Sequence, residues 1–159
     1  MARAQKVSTC LWFDTQAEEA AGLYVSLLPG SRITRTMRYG KGAPMPEGTV
    51  LTVHFELAGT SFTGLNGGPM YRFSEASSMV VSCDDQAEID RLWDALTADG
   101  GQAGRCGWLK DRYGLSWQII PAQLPSLLGG DPATASRAMA AMMTMSKMDI
   151  AKLEAARAA

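Results

Sequence analysis

At 159 residues, with 47% hydrophobic and 19% charged side chains, the chain can bury a sizeable core as one domain and is too apolar to be disordered. A net charge of −1 without a basic block excludes the electrostatic footprint of a nucleic-acid binder, and no apolar run approaches a membrane span. The opening MARAQKVSTC lacks the apolar segment of a signal peptide, and Cys10, Cys83 and Cys106 form no CxxC pair, so reduced thiols in the cytoplasm are expected.

VSTCLWF reads as a buried strand. Ala17, Ala20, Ala21, Tyr24, Leu27 and Leu28 then fall at helical spacing, Thr15 and Glu18 form a capping-box pattern before them, and Pro29-Gly30 ends the helix. Strands follow at about 31–39, 49–57 and 61–65. Asn66-Gly67-Gly68-Pro69 can turn tightly, and Tyr71 and Phe73 come next, as a cavity roof or as a linker. A strand at 78–83, SMVVSC, opens the second half. Asp85 caps a helix with acidic Glu88 three residues on, Ile89, Leu92, Trp93 and Leu96 form its apolar stripe, and Gly100-Gly101 closes it. A faint strand at 101–105 precedes strands at 106–110 and 116–120, with Gly114 at their turn. Beyond Pro121 the chain turns helical: a short turn to Leu128, a helix over 132–145, and a last helix from Asp149. The methionines at 139, 142, 143, 145 and 148 make an adaptable apolar surface, for packing on a sheet, on a second subunit or on another partner.

The two halves repeat. Asp14, Gln16, Ala17 and Glu18 recur as Asp84, Gln86, Ala87 and Glu88, and Gly59-Thr60-Ser61-Phe62-Thr63 echoes Gly114-Leu115-Ser116-Trp117-Gln118. Strand, cap, helix and closing strand keep the same order, so a duplicated α+β unit of one strand, one helix and three strands is expected. The whole chain, 1–159, is then one domain with modules at about 7–66 and 76–121 and helices over 122–159.

The segments TCLWFDTQAEEA, GLNGGPMYRFSEASS, CGWLKDRYGLSWQIIP and the tail MDIAKLEAA resemble the vicinal oxygen chelate superfamily of glyoxalase, bleomycin-resistance and extradiol dioxygenase proteins. Within it they are most similar to the PhnB-like branch, also labelled demethylubiquinone methyltransferase-like. The resemblance implies two βαβββ modules whose sheets form a curved mixed sheet around a cavity, and a homodimer. Metal-using members carry four ligands, on the first and last strand of each module. By the internal repeat those positions are Ser8, Thr63 or Gly64, Ser78 and Gln118, the last where metal-binding relatives have a glutamate. Hydroxyls and a neutral amide are poor ligands for a divalent transition metal, so a metal-free polar pocket without cofactor is expected, with Ser8, Ser78 and Gln118 as pocket or packing residues.

Other residues could carry chemistry. His54 alternates with Thr52 and Glu56, opposite Leu51, Val53, Phe55 and Leu57, so it faces either cavity or solvent, and Glu56 could orient it as a general base. Cys10 shares a face with Ser8 and Trp12. Neither Cys10 nor Cys106 has a visible activating base, so both read as small buried hydrophobes on strands. Trp12, Trp108 and Trp117 can line a pocket or fill the core. Asn66 lies in a glycine turn that lacks the strand–GxGxxG–helix context of a dinucleotide site, and no glycine-rich strand-to-helix turn suits S-adenosylmethionine. The expected function is binding of a small organic ligand by Ser8, Cys10, Trp12, His54, Glu56, Asn66, Tyr71, Phe73, Ser78, Trp108 and Gln118. The alternatives are a metal-independent enzyme using His54 or Glu56 as base, and a methyltransferase-like label with no recognisable S-adenosylmethionine site.

Overall fold

The structure is a computed structural model that describes residues 5–159, in two compact units divided after Arg72. The first unit contains β1 (Thr9–Phe13), α1 (Ala17–Leu27), β2 (Arg32–Arg38), β3 (Val50–Leu57) and β4 (Thr60–Asn66). Its sheet has the order β1-β4-β3-β2, with β1 parallel to β4 and the other pairs antiparallel. The second unit repeats the plan with β5 (Met79–Cys83), α2 (Gln86–Thr97), β6 (Gln102–Ala103), β7 (Trp108–Lys110) and β8 (Ser116–Pro121), in the order β5-β8-β7-β6. It continues through α3 (Leu124–Leu127), α4 (Pro132–Met143) and α5 (Ile150–Ala158). The chain is therefore α+β, built of two βαβββ modules with C-terminal helices. Among the described residues no helix is long and apolar enough to cross a membrane.

Alternation along the strands decides which face each helix covers. In the first unit Leu11, Phe13, Val53, Phe55, Leu57 and Phe62 point to α1 and are buried. The helix meets them with Ala17, Ala20, Ala21 and Tyr24, all fully buried. Small residues let it approach closely: a Cβ added to Gly64 would lie 3.2 Å from the Ala17 Cβ. Phe55 stacks on Phe62 at 5.5 Å between ring centroids and tilts against Tyr24 at 6.3 Å.

In the second unit Ile89, Leu92, Trp93 and Leu96 of α2 are buried, as are Cys83, Leu109, Trp117 and Ile119 of the sheet. The buried carboxylate of Asp111 organises the β7–β8 turn. It accepts hydrogen bonds from the backbone N–H groups of Tyr113 and Leu115 and from the Trp117 indole, at 2.9, 3.0 and 2.9 Å. The segment joining α4 to α5 is fastened to this unit. Gln86 donates to the Met148 carbonyl and accepts from the Ile150 N–H, while the N–H groups of Cys106 and Gly107 donate to Met145 and Ser146. Met145 and Met148 are buried, whereas Met139 and Met143 remain exposed.

Local departures from expectation have physical causes. Helix α4 ends at Met143, with Thr144 as its C-cap, two residues before the expected Met145. Cys106 is not on a strand: it and Gly107 have φ of 55° and 84°, a left-handed turn that delays β7 to Trp108. The Thr15–Glu18 box does not form. The N-cap of α1 is Gln16, whose side chain makes no capping bond to the helix, and the Ala17 N–H instead donates to Asn66 Oδ1 at the end of β4, at 2.8 Å. In α2 the expected cap is present: Asp85 accepts from the Glu88 N–H, while Glu88 accepts from the N–H of Asp84, one residue before the N-cap.

Candidate functional site

The faces not covered by α1 and α2 hold most of the candidate residues. On the first sheet, register places Cys10, Thr63, His54 and Arg35 in one cross-strand row. The next row is Trp12, Leu65, Thr52 and Met37, and on the other side Ser61, Glu56 and Arg32 align. His54 is half-buried. Its Nδ1 is 3.1 Å from the Thr63 hydroxyl, and its Nε2 only loosely approaches Thr52, at 3.5 Å. Thr63, not Gly64, is thus the open-face residue, which resolves the register left open by the sequence.

Glu56 does not orient His54. It forms an ion pair with Arg32 at 3.0 Å, and the neighbours of the His54 ring are threonine hydroxyls in place of the carboxylate that the sequence also allowed. Cys10 is exposed and not a buried hydrophobe, because the neighbouring helix covers the opposite face of β1. Partial desolvation raises the pKa of its thiol and keeps it protonated. Ser8 lies just before β1 and is exposed.

Trp12 is held in place from three sides. Its indole N–H donates to the Gly68 carbonyl at 2.9 Å, and Tyr71 packs edge-on at 4.9 Å. Gly67 comes so close that a Cβ there would overlap the indole. Tyr71 is therefore a buttress for Trp12, although 60% exposed. Asn66 borders a cleft of about 480 Å³ with Asp14, Glu18, Tyr39 and Met45. Its amide is already committed, to the Ala17 N–H and, as donor, to the Val50 carbonyl at 3.1 Å.

On the second sheet the equivalent row is Val80, Gln118 and Trp108. Gln118 matches Thr63: each is central in the last strand of its module, between the first and third strands. Its amide nitrogen donates to the Ser78 hydroxyl at 2.9 Å. Trp108 is half-buried, whereas Trp117 points to α2 and is core. Phe73, first residue of this unit, is half-buried. One row away lie Gln102, Lys110 and Ser116. The Lys110 ammonium lies 2.5 Å from a carboxylate oxygen of Glu75, and this hydrogen bond holds the Glu75 carboxyl below its ordinary pKa.

The sequence reading missed Arg35, Asp111, Gln102, Lys110 and Ser116 as site or framework residues. The repeat carried one usable signal, since it pairs Ser116 with Ser61 on the open face.

The positions that correspond to the ligands of metal-using relatives offer hydroxyls at Ser8, Thr63 and Ser78 and a neutral amide at Gln118. None brings charge, and the Gln118 amide presents its nitrogen to Ser78. Among the described residues no cluster of three or more His, Cys, Asp or Glu side chains could hold an ion. This donor set does not fit a divalent transition metal.

The family profile described as 3-demethylubiquinone-9 3-methyltransferase matches residues 5–120. A solved PhnB protein from Bacillus cereus is 35% identical, with a TM-score of 0.69 over 74% of this chain and 100% of that one. A Pseudomonas aeruginosa protein is 20% identical, with a TM-score of 0.60 over 74% of this chain and 98% of that one. A fosfomycin resistance protein from Listeria monocytogenes, solved with Mn(II) and sulfate, is 10% identical, with a TM-score of 0.50 over 77% of this chain and 94% of that one. The last two share the fold alone. No curated protein sequence matches the chain.

Proposed function

Because the chain belongs to the PhnB-like, 3-demethylubiquinone-9 3-methyltransferase family and has its glyoxalase-type fold, we propose that it binds a small organic molecule on the open faces of its sheets through the side chains themselves, without a transition metal. The observation that carries this reading is the row Cys10–Thr63–His54–Arg35, an uncovered polar surface bounded by the fixed indole of Trp12. A thiol, a hydroxyl and an imidazole, with the Arg35 guanidinium at one end and an aromatic wall beside them, suit a ligand with a few polar atoms and an apolar body. The methyltransferase activity in the family description is not part of the proposal. The glycines after β4 lead into an irregular segment, with no helix N-terminus to receive a cofactor.

A second reading, metal-independent catalysis, rests on one observation. The Thr63 hydroxyl fixes the His54 ring at Nδ1, and the loosely held Nε2 is free to take a proton from a ligand. The ion pair of Glu56 with Arg32 speaks against Glu56 as its orienting partner.

We further propose a cytoplasmic homodimer. Met139 and Met143 on α4, 43% and 56% exposed, are its candidate contact residues. Light scattering at micromolar concentration should give twice the chain mass, and a monomer mass would refute the assembly.

His54 is the chain's one histidine, so its ring protons give an unambiguous NMR signal. A metabolite screen should find a ligand that shifts it, and Thr63→Val should weaken that ligand. A saturable ligand that leaves the His54 signal unmoved would place binding elsewhere and overturn this reading of the first sheet.

A further inference from the structure

We propose that the second unit holds a site for a small planar monocarboxylate, formed by Ser116, Lys110, Gln102 and Trp108 and covered in the free protein by Glu75. A cleft of about 240 Å³ lies over these side chains. Ligand clefts usually span roughly 300–1,000 Å³, so this one fits a single-ring ligand and not a nucleotide.

Ser116 is the observation that points to a ligand. It is fully buried, it lines the cleft, and its hydroxyl has no hydrogen-bond partner among the described residues. A buried hydroxyl left unpaired is costly, and such groups normally carry a partner. Register puts Lys110 directly beside Ser116, and Gln102 beside Lys110. Hydroxyl, ammonium and amide thus converge as donors from one row, the set that an oxyanion needs. Trp108 stands one row further on the same face as a flat apolar wall.

The ion pair indicates the charge of the occupant. Lys110 already binds a carboxylate, that of Glu75, in a chain segment outside the sheet. Glu75 is 63% exposed and Lys110 39% exposed, so their contact is solvated and readily exchanged. An incoming carboxylate would displace Glu75 from Lys110 and reach Ser116, which Glu75 does not.

This inference rests on the ligand-binding reading above and names a ligand class for the second module. The test is calorimetric titration with benzoate, against neutral benzamide as control. Benzoate should bind and benzamide at least about tenfold more weakly. Ser116→Ala should weaken benzoate about tenfold, the loss of one charge-assisted hydrogen bond, while the thermal midpoint of the free protein does not fall. A purely structural serine would show the opposite pattern. Glu75→Gln should tighten binding by removing the competitor. The proposal is overturned if neither the parent nor Glu75→Gln binds benzoate at millimolar concentration, if Ser116→Ala binds as well as the parent, or if that variant loses stability. Should benzoate fail while another ligand still shifts the His54 signal, the general reading survives and this inference alone falls.

Discussion

Replacing Asn66 by Ala removes two interactions at once. The buried Ala17 N–H, first donor of α1, loses its acceptor, and the Val50 carbonyl loses a donor. Loss of a helix cap costs about 1 kcal/mol, and one neutral hydrogen bond about another 1 kcal/mol. Because Ala17 is fully buried, water cannot easily replace the acceptor, so the total should reach about 2–3 kcal/mol. Urea unfolding followed by far-UV circular dichroism measures it. Asn66→Asp keeps an acceptor at the helix N-terminus and should recover roughly half. Thr15→Ala is the decisive control, because no capping box forms there, and it should change stability by less than about 0.5 kcal/mol. If Thr15→Ala costs as much as Asn66→Ala, α1 is capped locally and the reasoning fails.

Ala58 sits with Gly59 in the two-residue β3–β4 turn at φ of 45° and 89°, a geometry that disfavours a Cβ. Ala58→Gly should therefore stabilise the protein by up to about 1 kcal/mol, and a lowered urea midpoint would contradict this. Asp111→Ala strands three donors in the β7–β8 turn and should cost at least about 3 kcal/mol; a midpoint shift under 1 kcal/mol would show that water replaces the carboxylate. Burial pushes the Cys83 thiol from 9.0 up to about 12. Its protonated form is favoured by folding, so the unfolded chain loses this proton first and stability should fall as pH rises from about 9 towards 12, at most by about 1.4 kcal/mol per pH unit. Cys83→Ala should flatten that alkaline slope. The same burial should protect Cys83 from thiol reagents in the native protein, while exposed Cys10 reacts as pH approaches its raised pKa.

The architecture was legible because it is written twice. Periods of two and of about four residues recur in the same order in both halves, and a burial pattern depends on little beyond such periods. The αL turn at Cys106 was not legible, since a cysteine gives no local sign of positive φ and the pairing to Met145 that stabilises it comes from a distant loop. Asn66 looked like a binding residue for a related reason. Its position after a strand and before two glycines is compatible with a ligand loop, and the donor it serves lies 49 residues away. His54 lies on the polar face of its strand, as its alternation implied, but the neighbour of its ring was not legible. Glu56, two residues along the same strand, looked adjacent in sequence, yet the cross-strand neighbours Thr63 and Arg32 are the ones within reach. The row of Gln102, Lys110 and Ser116 needs three strands in register, and one of them, β6, is only two residues long and shows no period of its own.

The same Asn66 contact bears on the order of folding. Closing a loop of 49 residues costs about 3.5 kcal/mol of chain entropy. The β3–β4 hairpin, joined by only two residues, pays almost none of it and can nucleate early. Helix α1 acquires its cap only after β4 has returned to lie parallel beside β1, the most non-local strand pairing of the unit. The cap is then expected to form late, after the transition state. Its removal should appear as faster unfolding at a nearly unchanged folding rate, whereas a change in the Ala58-Gly59 turn should alter the folding rate itself.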